Sequence, residues 1–333
     1  MQAIIPVAGA GTRLRPLTYT QPKVLISVAG KPILSYIFDN LIALGVNRFV
    51  VVIGYLGEKI VEYVQNHYPN LQVEFVVQTE RLGLGHAILC AQSHIDNTQP
   101  LIIQLGDTIL HAQFDKIISS QFSTLCIKKV DDPRGFGIVQ VDDKGIITAV
   151  EEKPAIPMSN LAIVGFYFIR NPQKLMQALQ ECYARHAQDN ELTLSSGLQR
   201  MIENGEIFSS EIAEQWYDLG KRDILLETNA NLLKSTREFS YGNAALENSI
   251  IIKPVSIGEN TRIVNSIIGP NVTIGDHSVI NHSILQNAII GSYTKIEHIQ
   301  LNDSLIGSDA TIVGHSQALN IGDNTEINLS GNS

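Results

Sequence analysis

From about residue 245 onward, apolar side chains recur every five or six positions, and few folds can use that period. Ile257, Ile263, Ile268, Ile274, Ile280, Leu285, Ile290 and Ile296 carry it. An amphipathic helix needs apolar positions three and four apart, and a half-buried strand needs strict alternation. Ile/Gly pairs stand at 257–258, 268–269, 274–275, 290–291, 306–307 and 321–322, and those at 274, 290, 306 and 321 are 16, 16 and 15 residues apart. Asn, Ser, Thr, Val and Ile dominate the segment. This predicts a hexapeptide-type parallel β-helix, each coil having three short faces that point one aliphatic side chain inward. The five-residue steps make each coil shorter than three sixes, and about four or five coils fit. His282, His298 and His315 are 16 and 17 apart, which predicts equivalent positions on successive coils. Their plain reading is a stack of outward polar residues; the sharper one is a base for acyl transfer. The solenoid itself reads as a packing or oligomerisation module.

The preceding residues follow another rhythm. Strand candidates at 2–7, 49–53, 73–77, 101–105 and 124–130 alternate with helical stretches at 33–44, 57–67 and 84–93. Ile33, Ile37, Leu41 and Leu44 form one stripe of the first helix, and Asn171-Pro172 reads as an N-cap opening a helix over 172–186. A βαβα order predicts an α/β domain over 1–235 with a mainly parallel sheet, helices on both faces, and ligands at the carboxyl ends of its strands. The β-helix domain then takes 236–333.

One such end carries a distinctive loop, Ile4-Ile-Pro-Val-Ala-Gly-Ala-Gly-Thr-Arg-Leu-Arg-Pro16, followed by Gln21-Pro-Lys23. Gly9 and Gly11 let the backbone come close to phosphate oxygens, as a side chain at either position would prevent, and Ala8 and Thr12 beside them are candidate nucleotide-binding positions. Arg13 and Lys23 add positive charge where a leaving pyrophosphate develops negative charge. The spacing is not a P-loop, which needs four residues between glycines and then Gly-Lys-Ser/Thr. Nor is it the dinucleotide fingerprint, since Leu14 stands where its third glycine belongs and Gly54-Tyr55 ends the second strand. The plain alternative is a simple turn at Gly9 and Gly11.

A net charge of −9 over 333 residues disfavours nonspecific nucleic-acid binding, so the basic loop is a local device. Cys90, Cys126 and Cys182 are widely spaced and match no metal pattern, as expected for a reducing compartment. No apolar run reaches the roughly 18 residues of a membrane span, and the expected location is cytoplasmic.

Several separated motifs together resemble the sugar-1-phosphate nucleotidylyltransferases, in particular the long-form glucose-1-phosphate thymidylyltransferases that carry a C-terminal left-handed β-helix. They are Gly9-Ala-Gly-Thr-Arg-Leu14, Pro22-Lys-Val-Leu25 with Gly30-Lys-Pro32, Gln78 followed by Gly83-Leu-Gly-His-Ala87, Leu105-Gly-Asp107, Phe136-Gly-Ile-Val139, Glu151-Glu-Lys-Pro154, Asn160 to Phe168, and Trp216-Tyr-Asp-Leu-Gly220. The likeness covers essentially the whole chain. It implies a Rossmann-like nucleotidyltransferase domain in which a sugar-1-phosphate oxygen attacks the α-phosphorus of a nucleoside triphosphate and pyrophosphate leaves. The nucleophile is already an anion, so positioning and charge neutralisation should supply most of the rate.

The resemblance also implies roles. Arg13 and Lys23 hold the triphosphate; Asp107 and Asp218 clamp one Mg²⁺, a cation content with two carboxylates plus phosphate oxygens. Gln78 pairs with the base, and Gly83 lets the backbone approach it. Lys153 meets the sugar phosphate, Glu152 accepts from sugar hydroxyls, Gly137 leaves room for the hexose, and Ile163 gives it a main-chain contact. The expected partners are a nucleoside triphosphate and a sugar-1-phosphate, with a homotrimer or homotetramer as the assembly. Each residue also has a plain reading: Asp107 as a strand-end cap, Lys153–Glu152 as an exposed ion pair, Trp216 as packing.

Three features depart from the thymidylyl pattern. Pro6-Val-Ala-Gly9 looks more like uridylyltransferases, Val24 replaces the usual Gln or Glu, and Leu192-Thr-Leu-Ser-Ser196 replaces a segment ending in Asp. The reading is therefore a pyrimidine triphosphate, dTTP before UTP, and most readily glucose-1-phosphate. The alternatives are a uridylyltransferase, a bifunctional enzyme with an acyltransferase β-helix, and a non-catalytic regulatory subunit that binds nucleotide sugar.

Overall fold

β1 (Gln2–Pro6) runs between two parallel neighbours, β2 (Arg48–Ile53) and β4 (Leu101–Gln104). Beyond β2 lies the parallel edge strand β3 (Gln72–Val77). The computed structural model describes residues 1–185, 191–235 and 241–315, and the chain divides into two compact units, Met1–Ser235 and Thr236–Ser333. After β4 the first unit adds β5 (Thr108–His111), β6 (Ser123–Lys129), β7 (Gly137–Val141), β8 (Ile146–Glu152), β9 (Leu161–Ile169), β10 (Phe208–Ile212) and β11 (Gln215–Asp218). Its main sheet has the order β3-β2-β1-β4-β9-β6-β10-β8-β7, and β11 pairs separately with β5.

The sheet is parallel where strands alternate with helices and mixed afterwards. β9 runs antiparallel to both β4 and β6, and β8 pairs antiparallel with β7 and β10. The expectation of a mainly parallel sheet thus holds across β3-β2-β1-β4, and beyond them only β10 and β6 pair in parallel. For β7 and β8 the reason is local: between them there is no crossover helix, only the tight turn around Asp142 and Gly145, and a short connection can join only antiparallel strands.

Parity decides what covers each face. Ile4, Val50, Val52, Leu101 and Ile103 share one buried cluster with Ala87 and Ile88 of α3 (Leu84–Cys90), with α5 (Pro172–Arg185) and with α6 (Leu194–Glu203). On the other face, Phe49 meets Phe38 of α1 (Ile33–Ala43) with ring centroids 5.0 Å apart. The remaining long helices are α2 (Gly57–His67) and α7 (Arg222–Ser235); here α4 is the short Phe114–Ser119. Asn171 does cap α5, its Oδ1 accepting from the Lys174 amide at 3.3 Å.

The second unit is a stack of parallel coils. On one face Ala245, Arg262, Val279, Lys295 and Thr311 lie in register, so successive coils are 17, 17, 16 and 16 residues long. All eight aliphatic positions that carry the sequence period are inside, none more than 1% exposed. The extra residue of the long coils lies where Lys253-Pro254 and Gly269-Pro270 separate two faces; the next coil crosses that corner as one strand, Ile284–Ile290. The corners need left-handed backbone. Asn265, His282 and His298 supply it at one, Asn260, His277, Tyr293 and Asp309 at another, and Asn271, Asn287 and Asp303 at the third. Asn, Asp and His tolerate that conformation better than branched residues do.

The register corrects the histidine alignment. His282 and His298 stack at 4.9 Å and 16°. Because Glu297 pairs with Val313, the next position in the stack is Gly314, and His315 stands one residue beyond it. A coil of 16 cannot align residues 17 apart. The Ile/Gly pair at 321–322 lies outside the described residues.

Candidate active site

The loop after β1 is held by its own chain before any ligand is considered. The Val7 amide donates to Val52 O at 2.8 Å, extending the ladder by one residue. Gly11 then turns with φ +60, and Thr18 Oγ1 donates to its carbonyl at 2.8 Å. A Cβ on Gly11 would come within 3.0 Å of both Thr18 Cγ2 and Lys23 Cβ. Gly9 differs: a Cβ there would meet nothing within 4 Å. Gly11 is required by the fold, whereas Gly9 keeps space open for something else.

That space is a cavity of about 410 Å³ lined by Gly9, Gly11, Thr12, Arg13, Lys23, Val24, Leu84, Asp107, Asp218 and Gly220, among others. Lys23 sits on a short 3₁₀ turn after Pro22, and its Nζ donates to Asp107 Oδ2 at 2.7 Å. Asp107 arrives from the carboxyl end of β4, and Asp218 ends β11, where it pairs with Thr108. The Leu219 amide donates to the Asp107 carbonyl at 3.0 Å, tying the two segments together. Gly220 keeps the approach clear: a Cβ there would lie 3.2 Å from Asp218 Oδ1 and 3.8 Å from an Arg13 guanidinium nitrogen.

The electrostatics are unequal. Burial, and then the negative charge of Asp107, raise the Asp218 carboxyl above its ordinary value, with Lys23 and Arg13 pulling the other way. A carboxylate in that position gains from an added cation. Two carboxylates beside a cavity lined with phosphate-type donors fit Mg²⁺, which keeps several waters and needs only one or two protein ligands. Among the described residues no cluster of three or more His, Cys, Asp or Glu could hold a metal, so a dedicated all-protein cage is not what this site offers.

A second group of residues lies along β7, β8 and β9. Ser195, near the start of α6, donates to Glu152 Oε2 at 2.6 Å, and Lys153 Nζ lies 3.6 Å from Glu152 Oε1. A Cβ on Gly137 would come 2.8 Å from Ser195 Oγ, 3.1 Å from Glu152 Oε2 and 3.6 Å from Ile163 Cδ1. Gly137, Glu152, Lys153 and Ile163 are thus brought together, and Gly137 is already demanded by the Ser195–Glu152 pair. Two links join this group to the cavity. Buried Tyr167 is pushed up in pKa by burial, then by the charges of both Glu152 and Asp107. Trp216, two residues before Asp218, packs edge-on against Phe136 at 5.2 Å.

Gln78 and Gly83 are brought together, and Ala8 packs against Gly54. Ala8 is buried under Gly54, whose Cβ would lie 2.7 Å from the Ala8 carbonyl. Gln78 is buried, and its Nε2 donates to Gly83 O at 3.1 Å. Gly83 has φ +95, and a Cβ would lie 2.5 Å from the Leu192 carbonyl. Its glycine is therefore set by the chain segment entering α6. Sequence reasoning missed Ser195, Tyr167 and His86 as members of these groups. The departure at Leu192–Ser196 was the available signal for Ser195, which lies inside it.

Residues 2–235 match the family described as Nucleotidyl transferase. The chain is 30% identical over 282 residues to a glucose-1-phosphate thymidylyltransferase of Streptomyces antibioticus, covering 82% of this chain and 77% of that one. It is 39% identical over 174 residues to UTP--glucose-1-phosphate uridylyltransferase AglF of Haloferax volcanii, covering 50% and 71%. In fold it is similar to a UDP-glucose pyrophosphorylase solved with UDP-glucose, at a TM-score of 0.60 and 23% identity, covering 71% of this chain and 99% of that one. Loop, cavity and family match all fall in the first unit, and the chain belongs to the nucleotidyl transferase family.

Proposed function

We propose that the protein transfers a nucleotidyl group from a pyrimidine nucleoside triphosphate, dTTP before UTP, to a hexose-1-phosphate, most readily glucose-1-phosphate. The observation that carries this is the convergence of Gly9, Gly11, Thr12, Arg13 and Lys23 with Asp107 and Asp218 on one cavity, beside a Glu152–Lys153 pair. The thymidylyltransferase and uridylyltransferase relatives support the substrate class.

In the reaction the sugar-phosphate oxygen bonds to the α-phosphorus while the bond from that phosphorus to the β-phosphate bridging oxygen breaks, releasing pyrophosphate. The chain's own residues act by placement. Gly9 and Gly11 admit the phosphates to the backbone, and Arg13 balances the charge of the departing pyrophosphate. Lys23 leaves its partner Asp107 or shares it with a phosphate oxygen. Lys153 draws the sugar phosphate in, and Glu152 orients the hexose by accepting from its hydroxyls. Asp107 and Asp218 would hold Mg²⁺, which when bound would neutralise phosphate charge. No general base is required, because the attacking oxygen is ionised at neutral pH.

Incubation with Mg²⁺, glucose-1-phosphate and each common triphosphate in turn, with pyrophosphate as the readout, tests the proposal. Release with dTTP or UTP is expected. Silence across all pairings of triphosphate and sugar phosphate would refute it.

A further inference from the structure

Gln78 is the one predicted base-contacting side chain, and the fold fixes which way its amide faces. Gly83 O is a carbonyl and can only accept, so the amide group 3.1 Å from it is the NH₂ end. The second N–H of that group meets His86 Nδ1 at 3.1 Å. Both donors are spent within the protein. No donor among the described residues reaches Oε1, which is left as an oriented acceptor on a side chain only 8% exposed.

The place suits a nucleobase. The Gln78 backbone N–H donates to Ile53 O at 2.8 Å, so the residue extends β3 at the same carboxyl edge that carries the glycine-rich loop on β1. Two strand spacings, about 10 Å, separate those positions, a span that a ribose and base can bridge. Leu84, which follows Gly83, lines the phosphate cavity.

We infer that His86 is a positioning residue for base selection: by accepting from Gln78 it holds Oε1 outward, so that the site takes a base offering an N–H at that point. This rests on the pyrimidine reading proposed above and sharpens it. Uracil and thymine present N3–H there, whereas cytosine presents the N3 lone pair and meets an acceptor with an acceptor. Without His86 the second amide N–H is free, and the amide can turn to donate to cytosine at the cost of its Gly83 bond. His86 is held for the task on α3 by its contacts with Cys90 Sγ at 3.8 Å and the Tyr183 ring at 5.9 Å.

The test compares kcat/KM for UTP, dTTP and CTP in the full-length wild type, His86→Ala and His86→Asn. Asn offers Oδ1 about where Nδ1 stood, so it can still accept. The expected result is a preference for UTP and dTTP over CTP in the wild type, a loss of that preference by roughly tenfold in His86→Ala, as for a lost hydrogen bond, and recovery in His86→Asn. The KM for glucose-1-phosphate should stay unchanged throughout. If turnover of His86→Ala is too slow, the ratio of Kd for UTP and CTP by calorimetry reads the same quantity. A wild type that prefers UTP or dTTP with an unchanged ratio in His86→Ala overturns the inference alone. A wild type that turns over only purine triphosphates overturns the pyrimidine reading and this inference together.

Discussion

The corners of the β-helix and the cavity beside the glycine-rich loop use polar residues to opposite ends. At the corners, polar side chains satisfy one another: Asn243 donates to Asn260 at 2.8 Å, Asn248 to Asn265 at 2.7 Å, and Asn265 and His282 meet at 3.1 Å. Each partner lies one coil away. In the cavity, Lys23 and Asp107 come together across 84 positions, Asp218 is half-buried near a like charge, and Gly9 faces open space. A chain that meets its polar needs with its own next coil is building structure. One that leaves charge in excess beside a cavity is prepared for a ligand.

That contrast can be broken by mutation, beginning with the strongest expected effect. Asp107→Asn should reduce kcat by roughly a hundredfold or more while changing triphosphate affinity far less, because charge is needed most where it develops. Equal turnover in rapid-quench assays would remove Asp107 from the chemistry. In the other unit, Ile280→Ala should cost about 2–5 kcal/mol of stability, the usual penalty for an unfilled core position, read by chemical denaturation of the full chain. Its kcat should stay near the wild-type value. A hundredfold loss of activity without unfolding would make the β-helix part of the catalytic machinery.

Ser195→Ala should raise the KM for sugar-1-phosphate about tenfold, in line with losing a hydrogen bond to a charged group. The KM for triphosphate should hold, and Ser195→Thr should recover most of the effect. An equal rise in both KM values would mean that Ser195 supports the whole α6 entry and not Glu152. Asp218 gives a smaller and opposite effect on stability. Its raised carboxyl favours the fold only while protonated, so that contribution is lost as pH rises from the ordinary carboxylate range, about pH 4, through the raised value. In chelator at neutral pH, Asp218→Asn should therefore melt slightly above the wild type although it has lost turnover. A lower melting temperature would show that Lys23 and Arg13 outweigh burial. Least affected should be His298→Ala, within about 0.5 kcal/mol of wild-type stability and unchanged in pyrophosphate release.

Local pattern carried much of this molecule. The period of five and six identified the β-helix because each inward aliphatic position repeats once per short face, and every one that the period named is buried. Strand and helix positions in the first unit follow just as directly from apolar alternation and stripes, down to the Asn171 cap. The glycine-rich loop that lines the cavity was legible because glycine spacing and cationic residues lie close together along the chain.

Other properties required the fold. Whether His315 joins the histidine stack depends on coil length, and a single residue gained or lost at a proline corner shifts the register of everything beyond it. The antiparallel pairing of β7 with β8 follows from a connection whose length, not whose strand composition, sets direction, and the placing of β9 beside β4 and β6 joins strands far apart in the chain. Gly83 and Gly137 read as openings for ligand, yet their absent side chains are already required by Leu192 and Ser195, which approach from far along the chain. Which end of the Gln78 amide faces outward was decided by a carbonyl and an imidazole brought to it by a loop and a helix. Sequence fixes what lies within a turn or a repeat, where neighbours along the chain are neighbours in space. Orientation and charge balance depend on long-range contacts that only the assembled tertiary structure supplies.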